Sequence, residues 1–245
     1  MEEGAEDVAK SEEERLESAD AVDVLAWAAE RFAPRLGFAF GFGPEGCVLF
    51  DLIARLDLDV DVFTLDTGLL FPETRTLWRR LEERYGRTIR SVHPAQTVEE
   101  QARTHGERLW ERAPDRCCHL RKVEPLAWAL SGHEAWISAI RREQTASRAH
   151  TRVLERDPVH GLLKINPLAG WTRARVWDHL NTYDVPVNTL HAHGYPSVGC
   201  LPCTSRVAPG EGERAGRWRG LGKTECGIHS RPRPDIAPAT EGAAR

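Results

Sequence analysis

The chain has 245 residues, 41% of them hydrophobic, and a net charge of -4. This length suits one α/β domain with its own core, and the acidic balance excludes a global basic field that would bind nucleic acid or an anionic membrane. No apolar run of about 18 residues and no basic, apolar leader occurs, so we expect a soluble, cytoplasmic protein without a membrane span.

The first half of the chain alternates between helical and strand patterns. Residues 1–18 are acidic and polar and are predicted to be a disordered leader, followed by a helix that ends before Pro34. Apolar runs at 36–40, 59–65 and 88–92 predict strands. Helical patterns occupy 47–56 and 76–85, and continue to about Leu130.

The second half of the chain continues this alternation and then loses it. Strands are predicted at 135–140 and 162–168, and a helix at 172–181. The alternation predicts an α/β fold with a mainly parallel sheet and helices on both faces, forming a single domain over 19–209. Residues 210–245 show little regular pattern and are predicted to be a mobile C-terminal arm, disordered after Ser230.

Two of the predicted strands lead into turns that can bind a ligand. The first strand ends in Gly41, Phe42 and Gly43 just before a helix, where backbone amides and the helix start can approach a phosphate. The second ends in Asp66-Thr67-Gly68, at the sheet edge where open α/β sheets bind ligands. Both segments are also ordinary turn sequences, so neither is specific alone.

A basic segment follows the fourth predicted strand. Arg141 and Arg142 come directly after it, and further arginines follow at positions 148 and 152. A guanidinium has the shape for two-pronged contact with phosphate or sulfate. An exposed charged loop is the alternative, but the segment leaves the same sheet edge as the two turns.

Four cysteines form two pairs that are typical of a metal site. Cys117 and Cys118 are adjacent, and Cys200 and Cys203 are separated by two residues. Their spacing is compatible with a structural zinc or with an iron-sulfur cluster. Adjacent cysteines would close a strained ring on one zinc ion, so the first pair favours a cluster. Disulfides are disfavoured because they are rare in a reducing compartment.

The two remaining cysteines differ in their surroundings. Cys47 is flanked by apolar residues and is interpreted as an inert core thiol. Cys226 follows Lys223 in a polar, glycine-flanked segment, where a thiol is accessible and a thiolate is favoured. It is the candidate nucleophile, with a structurally incidental tail cysteine as the alternative.

Six motifs in this order make residues 36 to 229 similar to the assimilatory adenylylsulfate reductases, within the adenylylsulfate and phosphoadenylylsulfate reductase family. The motifs are Leu65-Asp66-Thr67-Gly68 with Phe71-Pro72-Glu73-Thr74, Cys117-Cys118 with Arg121-Lys122, Arg141-Arg142-Glu143-Gln144, Gly194 to Cys200 with Cys203, Glu213 to Trp218, and Glu225-Cys226-Gly227-Ile228-His229. Each motif alone is weak evidence for the family, but the six motifs together in this order are highly specific to it.

The resemblance implies a fold, a cofactor and roles for individual residues. The fold would be adenine nucleotide α-hydrolase-like, and Cys117, Cys118, Cys200 and Cys203 would hold a [4Fe-4S] cluster. Cys226 would be the nucleophile. The positions that match those surrounding the phosphosulfate are Lys122, Arg141, Arg142, Arg214 and Arg217.

The resemblance also implies the reaction. Adenylyl sulfate would be reduced to sulfite and AMP through an S-sulfocysteine on Cys226, in sulfate assimilation towards cysteine. With four thiols committed to metal and Cys47 buried, the sequence offers no resolving thiol, so the partner would be thioredoxin or a similar dithiol protein. A homo-oligomer is compatible with the sequence, which does not determine the oligomeric state.

The chain departs from the family pattern in its nucleotide loop. The family usually has Ser-Phe-Gly-Ala-Glu-Asp, whereas Gly41 and Gly46 stand here in place of the hydroxyl and the second carboxylate. One side-chain contact to the nucleotide is therefore expected to be missing.

Three alternative functions stay open at this point. One is reduction of the 3'-phosphorylated substrate, and another is a cluster-dependent tRNA sulfur-inserting enzyme, whose Ser-Gly-Gly-Lys-Asp-Ser-like loop does not occur in this sequence. A zinc-organised nucleic-acid-binding module is the third, and the acidic net charge counts against it.

Overall fold

The computed structural model describes residues 11–229, which form a six-stranded sheet with helices packed on both faces. The strand order is β3-β2-β1-β4-β6-β5. All neighbouring strands run parallel except β5 and β6, which are antiparallel. The strands are β1 Leu36–Ala39, β2 Asp61–Leu65, β3 Arg90–Val92, β4 Ala135–Ile137, β5 Leu154–Arg156 and β6 Leu163–Ile165.

Nine α-helices precede, connect or follow these strands in the described part of the chain. The first, α1, covers residues 11–17. The others are α2 Ala21–Phe32, α3 Pro44–Arg55, α4 Pro72–Tyr85, α5 Val98–His105, α6 Leu109–Arg112, α7 Pro114–Cys118, α8 Glu124–Leu130 and α9 Arg173–Thr182. A π-helical turn, His119–Val123, joins α7 to α8, and short 3-10 turns occupy Arg142–Gln144, Ala146–Arg148, Thr189–His193 and Leu201–Cys203.

The alternation of side chains along β4 shows why both faces of the sheet are covered. Ile137 packs into the larger core, which includes Leu49 of α3 and Val176 of α9. Its neighbour Trp136 points to the other face and packs with Leu126 of α8 in a second core. Successive strand residues point to opposite faces, so a strand buried on both sides needs helices on both. The predicted fold class is confirmed.

The N-terminal segment differs from the prediction of a leader extending to residue 18. Residues 11–17 are helical, and Leu16 is fully buried in the larger core. Glu17 accepts a hydrogen bond from the Val153 backbone amide and pairs with Arg142. Burial of one leucine and pairing of one carboxylate anchor this segment, so the leader prediction is wrong for residues 11–17. Residues 1–10 of that prediction lie outside the described residues.

The sequence patterns do not predict strand β5. Its three residues, Leu154–Arg156, pair with β6, and only Leu154 is buried. A strand this short, with Glu155 and Arg156 beside one apolar residue, has too few alternating positions to be read from sequence.

The strand order positions a crevice at one edge of the sheet. Strand β1 lies between β2 and β4, and the chain moves outwards in one direction through β2 and β3 and in the other through β4 and β6. The direction therefore changes between β1 and β4, and open α/β sheets bind ligands beyond the carboxyl ends of strands at such a point. Among the described helices, none is long and apolar enough to cross a membrane.

Candidate active site

The structure gathers the two predicted cysteine pairs around one buried cavity. Cys117 and Cys118 end α7, and Cys200 and Cys203 lie in the segment that pairs with the Asp66 turn through a bridge between Leu70 and Cys200. All six cysteines of the chain are free thiols, so the disulfide alternative is wrong. The described residues that line this cavity are Leu69, Trp110, Pro114, Cys117, Cys118, Arg121, Lys122, Cys200, Cys203 and Trp218.

Polar groups surround the four thiols. The Thr67 hydroxyl lies 3.4 Å from Cys200 Sγ, and Gln101 Nε2 donates to Cys117 Sγ at 3.9 Å. The indole N–H of Trp218 is buried and has no acceptor among the described residues. A buried donor beside thiols is left unsatisfied unless a further acceptor enters the cavity.

Burial and charge act in opposite directions on these thiols. Burial raises the pKa of Cys118 to about 12 and that of Cys203 to about 11. Burial by itself would lower the pKa of Lys122. The negative charges of the Cys200, Cys226 and Cys118 thiolates outweigh this effect and raise the pKa. Thiols bind metals as thiolates, so metal cations in this cavity would offset the cost of deprotonating this set.

The donor set of this cavity fits a sulfur-ligated centre. Its described lining contains four thiols and neither a carboxylate nor an imidazole. Among residues 11–229, no three His, Cys, Asp or Glu side chains are arranged to hold a single metal ion. The four thiols are the candidate ligands for an inorganic group in this cavity, because its described lining offers no carboxylate or imidazole in their place.

A π-helical turn directly follows the tandem cysteines and contains Arg121 and Lys122. It covers His119–Val123 and ends shortly before Pro125, which has no N–H to donate to the Arg121 carbonyl one α-turn earlier. Arg121 points inwards, where it donates to the Thr67 carbonyl at 2.6 Å and to Gln101 Oε1 at 3.0 Å. Lys122 lines both the thiol cavity and a second, larger cavity.

This second cavity, of about 250 Å³, lies beyond the carboxyl ends of β1, β2 and β4 and is called the anion cavity below. Its wall includes Gly41, Phe42 and Gly43 of the loop between β1 and α3. Phe42 has a positive φ of 57° and packs its buried ring 4.5 Å from that of Phe40. A Cβ on Gly46 would lie 2.8 Å from the Phe40 ring, so the aromatic packing requires glycine there.

The Asp66-Thr67-Gly68 turn contributes unequally to the anion cavity. Thr67 lines it, whereas Asp66 and Gly68 are not part of its described wall. Asp66 forms a two-pronged ion pair with Arg75, at 3.0 and 3.1 Å, and accepts from the Gly68 amide at 3.0 Å. These contacts hold the turn that presents Thr67 to Cys200.

Neither guanidinium of the Arg141-Arg142 pair lines the anion cavity. Arg141 is 1% exposed and lies 2.8 Å from Glu45, 2.9 Å from Glu143 and 3.7 Å from Glu213. Arg142 donates to the Thr151 carbonyl at 2.7 Å and pairs with Glu17.

The carboxylates hold these two arginines because they are stronger partners than water. In the described structure Arg141 and Arg142 therefore support the loops around the cavity.

The 3-10 turns after β4 supply residues that the site prediction did not include. Gln144 and Arg148 line the anion cavity, together with Ser138 at the end of β4. Arg148 Nη1 donates to Gln144 Oε1, and the two side chains lie side by side at the rim. The arginine-rich segment was the available signal, but only the turn geometry decides which of its arginines faces inwards.

The C-terminal arm folds back over the anion cavity as far as it is described. Arg214, Arg217 and Cys226 all line the cavity. The base of the arm is fixed to the cysteine segment, since the Trp218 amide donates to the Cys203 carbonyl at 3.0 Å. The Cys226 thiol is half-buried and faces the same space as Lys122.

The end of the described arm docks on the sheet. Ile228 packs against the second core, and the His229 ring stacks on Trp136 with 5.8 Å between centroids and 3° between planes. Burial lowers the pKa of His229 well below its usual value, and the nearby cations Lys164, Arg148 and Arg214 lower it further. These contacts hold Ile228 and His229, which follow Cys226 in the arm, against the second core and β4.

Comparison with known proteins agrees with this architecture. Residues 35–206 match the phosphoadenosine phosphosulfate reductase domain family. The chain is 48% identical over 210 residues to adenosine 5'-phosphosulfate reductase 1 of Bacillus subtilis, covering 85% of this chain and 90% of that protein. It is 46% identical over 210 residues to the adenosine 5'-phosphosulfate reductase of Salinibacter ruber, covering 85% and 83%.

Solved structures extend the comparison to the fold. The phosphoadenylyl-sulfate reductase of Candida auris, crystallised with phosphate, matches with a TM-score of 0.70 and 33% identity, covering 80% of this chain and 94% of that one. The FMN adenylyltransferase of Candida glabrata, at 14% identity and a TM-score of 0.53, shares the fold alone. The sheet order, the family match and the high identity to curated relatives together show that this chain belongs to the phosphoadenosine phosphosulfate reductase domain family.

Proposed function

We propose that this protein is an adenylyl-sulfate reductase that converts adenosine 5'-phosphosulfate to sulfite and AMP. One observation carries the proposal: the half-buried Cys226 thiol and a set of cations line one cavity, directly beside a cavity lined by four thiols. The cations are Lys122, Arg148, Arg214 and Arg217. The names of the Bacillus subtilis and Salinibacter ruber relatives support the same substrate.

The first chemical step is a displacement at sulfur. The Cys226 thiolate attacks the sulfur of the sulfonate group, a new S–S bond forms, and the bond from sulfur to the phosphate oxygen breaks. AMP leaves with the bonding electron pair, and an S-sulfocysteine remains on Cys226. Lys122 and the arginines offset the negative charge of the substrate oxygens and hold the reacting atoms in line.

The second step requires an external dithiol. A thiolate of thioredoxin or a similar protein attacks Cys226 Sγ, sulfite leaves with the electron pair of the S–S bond, and a mixed disulfide forms. The partner's second thiol then attacks the partner's first sulfur, which is bonded to Cys226 in the mixed disulfide. This step releases Cys226 as a thiolate and leaves the partner with an internal disulfide. Cys47 cannot replace that thiol, since it is fully buried in the core and burial raises its pKa.

A [4Fe-4S] cluster is the group that best fits the four-thiol cavity. Cys117, Cys118, Cys200 and Cys203 would hold the cluster, and Trp218, whose buried N–H has no acceptor among the described residues, would supply a hydrogen-bond donor beside it. With its four thiolate ligands, the bound cluster would supply a fixed anionic centre next to Lys122. The test is anaerobic purification with iron, sulfide and zinc analysis, in which a zinc-loaded, colourless protein rejects the assignment.

The nucleophile is tested by a single turnover without reductant. Wild-type protein is expected to release about one AMP per chain and to gain one sulfonate on the peptide containing Cys226, as read by mass spectrometry. Cys226→Ser is expected to do neither, while Cys47→Ala, which removes a core thiol outside the cavity, keeps both. AMP release by Cys226→Ser at the wild-type level rejects the role of Cys226.

The 3'-phosphorylated substrate is a second candidate, since the Candida auris neighbour is named for it. Sulfite release from both activated sulfates, measured side by side with thioredoxin present, decides between them. Faster release from the 3'-phosphorylated form rejects adenylyl sulfate as the preferred substrate.

A further inference from the structure

The carboxylate of Glu225, the residue before the candidate nucleophile, lies on two cations of the anion cavity. Arg148 Nη2 donates to Glu225 Oε2 at 2.9 Å, and Arg214 Nη2 donates to the same oxygen at 3.0 Å. Arg214 also donates to the Thr224 carbonyl at 3.0 Å. Because Arg148, Arg214, Glu225 and Cys226 all line the cavity, this ion pair is part of the site itself.

The fit of Glu225 in this position is incomplete. Its other oxygen, Oε1, is buried and lies 2.9 Å from Arg148 without the alignment of a hydrogen bond. Two guanidinium N–H donors, Nε of Arg214 itself and Nε of Arg217, are buried and have no acceptor among the described residues. Unsatisfied buried donors cost free energy, so this set of cations can bind more acceptor oxygens than Glu225 offers.

A carboxylate on two guanidiniums has the geometry of one edge of a sulfate or phosphate. Guanidinium groups bind these anions by the same paired N–H groups that bind carboxylates. The phosphosulfate of the substrate offers more oxygens and more negative charge than one carboxylate. It can therefore satisfy donors that Glu225 leaves without an acceptor.

We propose that Glu225 is a built-in competitor of the substrate, an anion on the arm that occupies the Arg148-Arg214 pair until the phosphosulfate displaces it. The proposal rests on the proposed function and adds a regulatory contact to the same site. While Glu225 holds the two arginines, it also keeps Cys226 folded over the cavity. Substrate binding exchanges one anion for another, so the cations remain paired throughout.

The same contact bears on the step after sulfonate transfer. The new sulfonate on Cys226 and the carboxylate of Glu225 are then adjacent in sequence and carry like charge. Like charges in a partly buried site repel. This repulsion favours movement of the arm away from the cavity, where a dithiol protein can reach Cys226.

The test compares Glu225→Gln with wild type in the holoprotein. Glutamine keeps the shape of the side chain and removes its charge. By isothermal titration, Glu225→Gln is expected to bind AMP and inorganic sulfate roughly three- to tenfold more tightly, the range for losing one charged competitor. Without ligand, Cys226 of this variant is expected to react several-fold faster with iodoacetamide, since its arm has lost an anchor.

Two variants serve as controls. Glu211→Gln removes another arm carboxylate, which pairs with Arg219 at 2.7 Å and is not part of the described cavity wall, and is expected to leave both readouts unchanged. Glu225→Asp keeps the charge on a shorter side chain, and its anion affinity should stay closer to that of wild type than Glu225→Gln.

Three results would overturn the proposal. They are unchanged or weaker binding of AMP and sulfate by Glu225→Gln, an equal gain in Glu211→Gln, and binding of neither ligand by wild type and variant alike. These readouts need no turnover. Failure of wild type to release sulfite would instead reject the proposed reaction, so the two failures are distinguishable.

Discussion

Replacing Arg141 by methionine is expected to cost the protein about 3 kcal/mol of stability, because it leaves a carboxylate unpaired in the wall of the anion cavity. Arg141 is 1% exposed, and Glu45, its nearest partner at 2.8 Å, is 13% exposed. Breaking a buried ion pair by removing one partner costs about 3–5 kcal/mol. We take the lower end because the other partners, Glu143 and Glu213, are more exposed and keep their hydration.

Thermal unfolding followed by circular dichroism measures this effect. For a chain of this size, a loss of about 3 kcal/mol corresponds to a fall in Tm of roughly 6–12 °C. Glu45→Gln alone is expected to cost only about 1 kcal/mol, since Arg141 keeps Glu143 and an amide oxygen as acceptors.

The double variant Arg141→Met/Glu45→Gln completes the cycle. It should be more stable than the sum of the two single effects predicts, by about 1–2 kcal/mol, because the stranded charge is gone. Strict additivity of the two changes would refute the reasoning, and so would a loss of AMP affinity in Arg141→Met without any loss of stability. The latter result would mean that the guanidinium contacts the nucleotide directly.

Three further predictions test the N-terminal helix, the base of the arm and its docked end. Leu16→Ala should lower the unfolding free energy by about 3 kcal/mol, since Leu16 is fully buried. If this variant unfolds like the wild-type protein, α1 does not pack on the core. Gly216→Ala would place a Cβ 2.1 Å from the Ser205 carbonyl oxygen and should speed the labelling of Cys226 by iodoacetamide. The control Gly212→Ala, whose Cβ meets nothing within 4 Å, should not change the labelling rate. Equal rates in the two variants would contradict the prediction. The pKa of His229 is lowered in the folded protein, so the unfolded chain binds more protons than the folded one below about pH 6.5. When the pH falls from 7.5 to 5.5, the wild-type protein should therefore lose up to about 1.4 kcal/mol more unfolding free energy than His229→Gln. Equal losses by urea titration would show that His229 is not buried in its neutral form.

The parts of this fold that follow from sequence are those with repeated patterns. The buried strands β1, β2 and β4 are apolar runs between turn residues, and the structure has them inside the predicted ranges. The helix over Arg173–Thr182 begins after Thr172, whose side chain accepts from the Arg175 amide as an N-cap. Periodicity and capping are local signals, so they can be read without knowing the fold.

The parts that the sequence could not give depend on contacts between distant segments. Nothing in the sequence around Arg141 indicates that Glu45 and Glu213 converge on it, so its burial could not be foreseen. Arg148 faces the anion cavity only because two 3-10 turns redirect the chain after β4. Leu16 is one apolar residue in an acidic segment, and its burial in the core, together with the pairing of Glu17 with Arg142, holds α1 in place.

The candidate site also combines features that can be predicted from the sequence with features that cannot. The two cysteine pairs are far apart in sequence, and their chemistry alone predicted that they meet, as they do in the structure. The pairing of Glu225 with Arg148 had no sequence signal, because an arm with little regular pattern gives no register from which to predict its partners.

The sheet ends on both sides in short, polar strands, and this limits how copies of the protein can associate. At one edge, Arg90 and Ser91 of β3 are exposed, and at the other, Arg156 of β5 is exposed. Three-residue edges with charged side chains offer few unpaired backbone groups and discourage strand addition and aggregation. Two molecules would therefore have to pair through helices or loops, and a continuous sheet across a dimer is not expected.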